Sequence, residues 1–178
     1  MAHIDSLSSG IFSYLDIFTD SATVTPTAET ATGYSALFDT NTTDVDAADI
    51  VRMPSVREFP SIGTPANIVN VPVYGQNTSS QIQGQSDAPT LEVTVNYNAG
   101  DMAAFHTLVG QQVYFRFMMC DAAVDLADSN AGANAAKNTS FYFKGKIEAI
   151  LVNPQLTDAT TATVTLSAQS DFFGPATV

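Results

Sequence analysis

Residues 90–98, TLEVTVNYN, decide the fold class, because apolar and polar side chains alternate strictly along them. A regular period of two is typical of a β-strand with one buried and one polar face. The apolar face would carry Leu91, Val93, Val95 and Tyr97, and the polar face Glu92, Thr94 and Asn96. The stretch therefore predicts a sheet that covers a core on one side only.

A short helix is predicted immediately after this strand. Ala99, Gly100 and Asp101 form a turn signal, in which Asp101 is expected to be the N-cap. The following MAAFHTLV, residues 102–109, places its apolar side chains on one helical face, and Gly110 ends the pattern. These apolar side chains are Met102, Phe105, Leu108 and Val109.

Three further strands are predicted downstream. QQVYFRFMM (111–119) alternates, with Arg116 on the polar face. TSFYFKGKIEAILVNP (139–154) is long, and Gly145 predicts a bulge or bend within it. Its expected inner set is Phe141, Phe143, Ile147, Ala149 and Leu151, opposite Tyr142, Lys144, Lys146 and Glu148. TATVTLSAQS (161–170) sets apolar residues against a threonine face that would meet solvent, a lumen or another subunit.

Upstream of residue 90 the strand signals are weaker. DIVRMPSVREF (49–59) and NIVNVPVYG (67–75) each contain a proline, which favours sheet edges or strand ends. Residues 75–88 are polar and glycine-bounded, as in a hairpin tip or a projecting loop. We therefore assign residues 50–168 to a β-sandwich or barrel core with its helix near 101–109.

Both ends of the chain are interpreted as arms, covering residues 1–49 and 169–178. The first begins with apolar residues at helix-like spacing and continues as a long acidic loop. Those apolar residues are Leu7, Ile11, Phe12, Leu15 and Phe18. The second arm carries Phe172 and Phe173, which should dock on this chain or on the next copy, since exposed they would form an adhesive patch. The fold class is thus mainly antiparallel β with one short flanking helix and extended arms.

Composition favours a protein that assembles. Charged residues make up 13% of the 178 residues, against about 25% in typical soluble domains. A subunit that hides surface against its neighbours needs little charge, although a monomer with a Ser, Thr, Asn and Gln surface would also fit. The net charge is −12, and residues 1–51 contain eight acids and no base. An excess of acidic residues argues against nucleic-acid binding, because the affinity of a protein for nucleic acid comes mainly from Lys and Arg contacts with phosphates.

Signals for chemistry are scarce. His3 and His106 lie far apart, and Cys120 sits in an apolar run, so we expect neither a catalytic nor a metal or cofactor site. An Asp-rich loop could hold a hard cation, but without an EF-hand pattern a solvated loop is preferred; its residues are Asp39, Asn41, Asp44, Asp46 and Asp49. The single cysteine excludes an internal disulfide framework, which favours synthesis in a reducing cytoplasm. Neither a signal peptide nor a membrane span is expected.

The order of elements between residues 89 and 168 resembles the tail tube protein family of long-tailed bacteriophages. The shared order is a strand, a GD-type turn, a short helix, a strand, an aromatic–Gly strand and a Thr/Val-rich strand. The aromatic–Gly motif is Phe143, Gly145 and Ile147 here, and Ala99 stands where the pattern often has Pro. About half of the chain resembles the family well and a further fifth, from Ser61, loosely. Residues 1–50 match nothing in the family.

The resemblance implies a virion subunit, assembled in the host cytoplasm. Six copies would form a ring with a continuous lumen barrel, and rings would stack around a tape measure protein. The lumen would later conduct DNA without binding it, helped by like-charge repulsion from carboxylates. Tail terminator and distal tail proteins would be further partners. Loops and arms would stack the rings; the candidates are residues 1–50, 75–88, 121–138 and 169–178.

Candidate inter-subunit contacts are apolar residues of the arms and basic residues scattered over the strands. They are Ile11, Phe12, Leu15, Phe18, Arg52, Arg57, Arg116, Lys144, Lys146, Phe172 and Phe173. Two other functions remain open. One is a related ring-forming protein, such as a tail terminator or a secretion-system tube. The other is a carbohydrate-binding or adhesin-like domain, for which Tyr74, Tyr114, Tyr142 and the Asp-rich loop would be the binding elements.

Overall fold

The computed structural model describes residues 12–20, 24–39, 45–63, 67–75, 77–84, 89–120, 122–124 and 139–177. Within them, most strands join one antiparallel sheet that curls into a half-barrel. The strands are β1 (Ser13–Phe18), β2 (Ile50–Arg52), β3 (Val56–Glu58), β4 (Ile68–Val71), β5 (Ser80–Gln83), β6 (Thr90–Asn96), β7 (Gln112–Met119), β8 (Thr139–Asn153), β9 (Thr161–Ala168) and β10 (Phe173–Thr177). The helices are α1 (Ala31–Ser35) and α2 (Ala99–Leu108), with 3-10 turns at Ala36–Phe38 and Ala47–Asp49.

The order of strands across the main sheet is β2-β1-β7-β8-β9-β6-β3. Strand β10 pairs with the first part of β8, while β4 and β5 form a separate two-stranded hairpin. The prediction of a mainly antiparallel β fold with a short flanking helix is confirmed. The edge position inferred from Pro54 is also confirmed, because β2 and β3 are the two end strands of the sheet.

The inner face of the sheet, which packs on α2, holds the main core. The predicted apolar sets of β6 and β9 point into it, and Met102, Phe105 and Leu108 of α2 close it. The N-cap of α2 is Asn98 and not Asp101: the Asn98 side-chain oxygen accepts a hydrogen bond from the Gly100 amide at 3.1 Å. Asp101 instead lies in the first turn, where its charge favours the helix N-terminus. Val109 follows the last helical residue and is 39% exposed.

The expected helix at the N-terminus is wrong over the described residues, because Ser13–Phe18 is the inner strand β1. β1 pairs with β2 on one side and with β7 on the other. Leu15 and Ile17 enter the main core while Phe18 enters a second core on the opposite face, so both faces of the strand are buried. The β core therefore begins well before residue 50; Leu7 and Ile11 lie outside the described residues.

The second core lies on the outer face of the sheet, under residues 24–39, which we call the strap. Tyr34, Leu37 and Phe38 of the strap are buried against Tyr114 and Tyr142 of the sheet. Phe18 and Phe38 meet edge to face at 6.2 Å between ring centroids. The 3-10 turn Ala36–Phe38 agrees with the single turn expected near this position, but the strap is a packed element and not an extended loop.

The long strand β8 changes phase in its middle. Gly145 pairs with both Val113 and Ala168, and a Cβ there would lie 2.4 Å from the Ser167 carbonyl oxygen. The register on β9 shifts between Ile147 and Ala149, as in a β-bulge. Ile150 consequently packs towards the main core, while Ala149 pairs with the outward Thr165 and Leu151 is exposed, so the inner positions expected for Ala149 and Leu151 are wrong.

Candidate assembly surfaces

One part of the outer sheet face is not covered by the strap. We call it the open face: the outward side chains of β6, β9 and the second half of β8. They are mostly Thr, Ser and Asn, and the register also places Ala149 and Leu151 on this face. The full set is Thr90, Glu92, Thr94, Asn96, Lys146, Glu148, Ala149, Leu151, Asn153, Thr161, Thr163, Thr165 and Ser167. Several of these side chains form hydrogen bonds with one another: the Ser167 hydroxyl donates to the Glu148 carboxylate, and the Asn153 amide donates to the Thr163 hydroxyl. The predicted polar face of β6 and β9 therefore remains a surface.

Charges on the open face nearly balance. Lys146, with Lys144 at its border, faces Glu92 and Glu148, while the chain as a whole carries −12. At the rim, Arg57 approaches Asp158 at 4.0 Å, with both side chains more than half exposed. An exposed pair of this kind contributes little to stability. The acid excess of the chain is thus not concentrated on this face.

The second half of β8 also has an open backbone edge. β7 pairs with Thr139–Lys146 only, and beyond it a single bridge joins Val109 to Ile147. Among the described residues no strand continues along that edge over 148–153, although β9 covers the other edge as far as Asn153. Apolar side chains are exposed at the same tip: Leu151 is 59% and Leu156 104% exposed. Unpaired, apolar edges of this kind favour pairing with another chain.

A third surface is the β4–β5 hairpin, residues 68–83. Part of it lies where a hairpin tip or projecting loop was expected. Ile68 is 57% and Ile82 54% exposed, and neither belongs to a buried cluster of the body. A two-stranded hairpin is only marginally stable alone in water, so this one is suited to being covered by another molecule.

The fold of this chain is similar to that of the SPP1 tail tube, solved by solid-state NMR and cryo-electron microscopy. The TM-score is 0.58 at 13% sequence identity, over 94% of this chain and 80% of that one. The resemblance seen in the sequence is confirmed at the level of the fold. No protein-family model matches the sequence, and no curated protein matches it.

Several predicted contact residues instead pack within their own chain. Leu15 and Phe18 belong to its two cores, and Phe12 packs beside Met118 and Cys120. The outward position expected for Arg116 is also wrong, because its side chain is fully buried and reaches the Asp16 carboxylate at 2.6 Å. Arg57, Lys144 and Lys146 retain exposure and stay predictions as contacts; Ile11 lies outside the described residues.

The two C-terminal aromatic residues dock on their own chain, on opposite faces of the sheet. Phe172 packs against Phe143 of the main core, with ring centroids 5.0 Å apart. Phe173 stacks on Tyr34 of the strap at 5.1 Å. The segment expected as a C-terminal arm thus closes both cores, and β10 extends the sheet beside the first part of β8.

Sequence reasoning missed a buried charge cluster around Asp16. The Asp16 carboxylate accepts hydrogen bonds from Arg52 Nε at 2.7 Å and from Arg116 at 2.6 Å. Arg52 also donates to the Val124 carbonyl at 2.6 Å and lies 4.0 Å above the Tyr14 ring. The signal was present in the sequence, as one acid and one arginine each surrounded by apolar neighbours in a strand.

Burial changes the titration of three tyrosines around the strap. Loss of solvation raises the pKa of Tyr34, Tyr114 and Tyr142 above the ordinary 10.0. The nearby Glu29 carboxylate raises the pKa of Tyr34 and Tyr114 further. Arg116 acts in the opposite direction on Tyr142, but burial dominates.

Metal ligands do not converge in the part of the chain that the structure describes, where no group of three or more His, Cys, Asp or Glu side chains is found. Asp46 and Asp49 accept backbone hydrogen bonds from Ala48 and Asp46 and so cap the turn at Ala47–Asp49. Asn41 and Asp44 lie outside the described residues. The described helices include none that is long and apolar enough to cross a membrane.

Proposed function

We propose that this protein is the structural subunit of a bacteriophage tail tube and resides in the virion. The observation that carries the proposal is the similarity of fold to a tail tube over 94% of the chain. The role is architectural and not enzymatic. The assembly surfaces described above supply the contacts that a tube requires.

Ring closure is proposed to use the open edge of β8. Residues 148–153 would pair with a strand edge of the neighbouring copy, and the short end strand β3 (Val56–Glu58) offers such an edge. Pairing would cover Leu151 and satisfy the free backbone groups. Repeating this edge pairing around a central axis would join the sheets of neighbouring copies into one barrel. The ring would contain six copies if it matches the tail tube family that the sequence resembles.

The open face is proposed to line the lumen of that barrel. Its Thr, Ser and Asn side chains are short and neutral, and Lys146 is offset by Glu92 and Glu148. A polyanion gains affinity mainly by releasing counterions to Lys and Arg. DNA would therefore slide past this face without being held, and a tape measure protein could occupy the lumen before ejection.

Ring stacking is proposed to use the β4–β5 hairpin. Its exposed Ile68, Val69 and Ile82 would be covered by a copy in the next ring, which would stabilise an otherwise marginal hairpin. Tail terminator and distal tail proteins would meet the same surfaces at the two ends of the tube.

The test is electron microscopy of the purified full-length protein. Hollow tubes or stacked rings with a countable symmetry are expected. The double variant Leu151→Lys, Val152→Lys should block assembly, because it places charge at the pairing edge, while Thr163→Ser on the open face should assemble normally. A protein that stays a compact monomer at all concentrations, salts and temperatures tested would contradict the proposal.

Neither alternative function gains support from the described residues. Single rings that never stack would favour a tail terminator over a tube subunit, and the same micrographs decide between them. The carbohydrate-binding interpretation is weakened, because Tyr114 is only 5% exposed and Tyr142 fully buried. Of its three aromatic residues, only Tyr74 is available to stack on a sugar.

A further inference from the structure

Three charged residues form one row across three neighbouring strands. Asp16 in the middle strand β1 stands directly opposite Arg52 of β2 and directly opposite Arg116 of β7. Its carboxylate binds both arginines, and its side chain is fully buried. On the far side, the Arg116 guanidinium lies 4.7 Å from the centre of the Phe38 ring in the strap.

The rest of β1 gives little information about its register. Apart from Ser13 at its start, the other residues of β1 are apolar or aromatic and are divided between the two faces; they are Tyr14, Leu15, Ile17 and Phe18. Where only one face of a strand is buried, a slip exposes the apolar side chains and is strongly penalised. Because both faces of β1 are covered, that penalty is largely absent here.

We infer that Asp16 is the register-determining residue of this protein: it selects one alignment of β1 within its own chain. A slip by one residue would turn the carboxylate into the apolar main core without a partner. A slip by two would place it opposite Tyr114 or opposite Met118 and separate it from Arg116. The native register is therefore the one in which the carboxylate meets both arginines.

The consequence reaches beyond β1, because the strap follows it in the chain. The position of β1 fixes where Tyr34, Leu37 and Phe38 enter the second core. The position of β1 also affects the segment after β7, because Asp16 binds Arg52 and Arg52 in turn donates to the Val124 carbonyl. Asp16 thus determines which part of the outer face is covered and which part stays open, whatever the protein assembles into.

The decisive variant replaces the whole charged row with apolar residues, as Asp16→Leu, Arg52→Met and Arg116→Met together. Removing only Asp16 would take a charged partner from the fully buried Arg116 and could unfold the chain, whereas replacing a complete ion cluster with apolar residues often preserves stability. Isotope-labelled full-length protein is examined by NMR, in solution or as assembled tubes. The native register gives contacts of Leu15 with Phe117 and of Ile17 with Phe115.

The triple variant is expected to unfold cooperatively while its native contacts lose at least half of their intensity. New contacts of Leu15 with Phe115 or with Met119 should appear in their place. A control that removes one acid and two bases from the outer surface, Lys144→Gln, Lys146→Gln and Glu148→Gln, should keep the native set alone. A triple variant with only native contacts overturns the inference. A triple variant that does not unfold cooperatively also overturns the inference, because the charges would then be needed for folding itself and not for the choice of register.

Discussion

Replacing Phe38 with alanine tests whether the strap is part of the folded chain before any assembly. Phe38 is fully buried. Its ring lies 6.2 Å from that of Phe18 and 5.9 Å from that of Tyr142, between centroids, and the Arg116 guanidinium lies 4.7 Å away. Truncating a buried Phe to Ala costs about 3–5 kcal/mol of unfolding free energy, from lost transfer energy and the cavity left behind. We expect the upper half of that range, because the ring also meets a cation.

The assay is urea denaturation of unassembled protein, followed by circular dichroism. With a slope of about 2 kcal/mol per molar urea, a loss of about 4 kcal/mol lowers the midpoint by about 2 M. Leu156→Ala is the matched control: its side chain is fully exposed, so its effect should stay within about 0.5 kcal/mol. If Phe38→Ala behaves like this control, the strap does not belong to the cooperative unit, and the second core forms only in assemblies.

Three further predictions concern other parts of the chain. Gly145→Ala should destabilise by about 1–3 kcal/mol, because its Cβ would lie 2.4 Å from the Ser167 carbonyl and 3.2 Å from the Phe115 ring; an unchanged melting temperature would contradict this. Asn98→Ala should cost about 1 kcal/mol by removing the cap of α2, and Asp101→Ala less; the reverse order in denaturation would restore Asp101 as the cap. At high pH, stability from buried Tyr34, Tyr114 and Tyr142 is complete below the unfolded pKa and is lost as pH rises through their raised folded pKa values; phenolate absorbance should therefore rise together with loss of the fold, and titration at 10.0 without unfolding would refute it.

Four strands and one helix could be predicted from the sequence, and the prediction was most complete for β6, β9 and α2, where one side is covered and the other is not. In β6 and β9 the alternation is regular, and the predicted inner residues Leu91, Val93 and Val164 are all buried. The buried face of α2 was predicted for the same reason, with Met102 and Phe105 at its centre. Hydrophobic periodicity predicts an element correctly where the buried and exposed positions alternate with the period of that element.

The same reasoning failed for β1, where both sides are covered. Phe12, Leu15 and Phe18 recur at a spacing of three, which suggested a helix. The strand is apolar because Leu15 and Ile17 meet one core and Phe18 the other. A short apolar run of this kind does not distinguish a buried strand from a helix without knowledge of what packs on it.

The phase of β8 was predicted correctly up to Ile147 and incorrectly after it. The bulge between Ile147 and Ala149 moves Ile150 inward and Leu151 outward. Glycine is required at position 145 because a side chain there would collide with the Ser167 backbone. The β-bulge begins two residues later, after Ile147. A glycine within a strand indicates that a bulge or bend is near, but it does not show at which residue the register shifts.

The least predictable feature is that one sheet face is core at one end and surface at the other. On β7 and β8 the outward Arg116 and Tyr142 are buried beneath the strap, whereas the outward Lys146 of β8 and Thr163 of β9 are not. No pattern inside those strands encodes the difference, because it depends on where residues 24–39 lie. The register of β1 fixes that position, so the buried Asp16 row and the open face are two consequences of one alignment. A change that moves β1 should therefore alter the assembly surface without touching any residue on it.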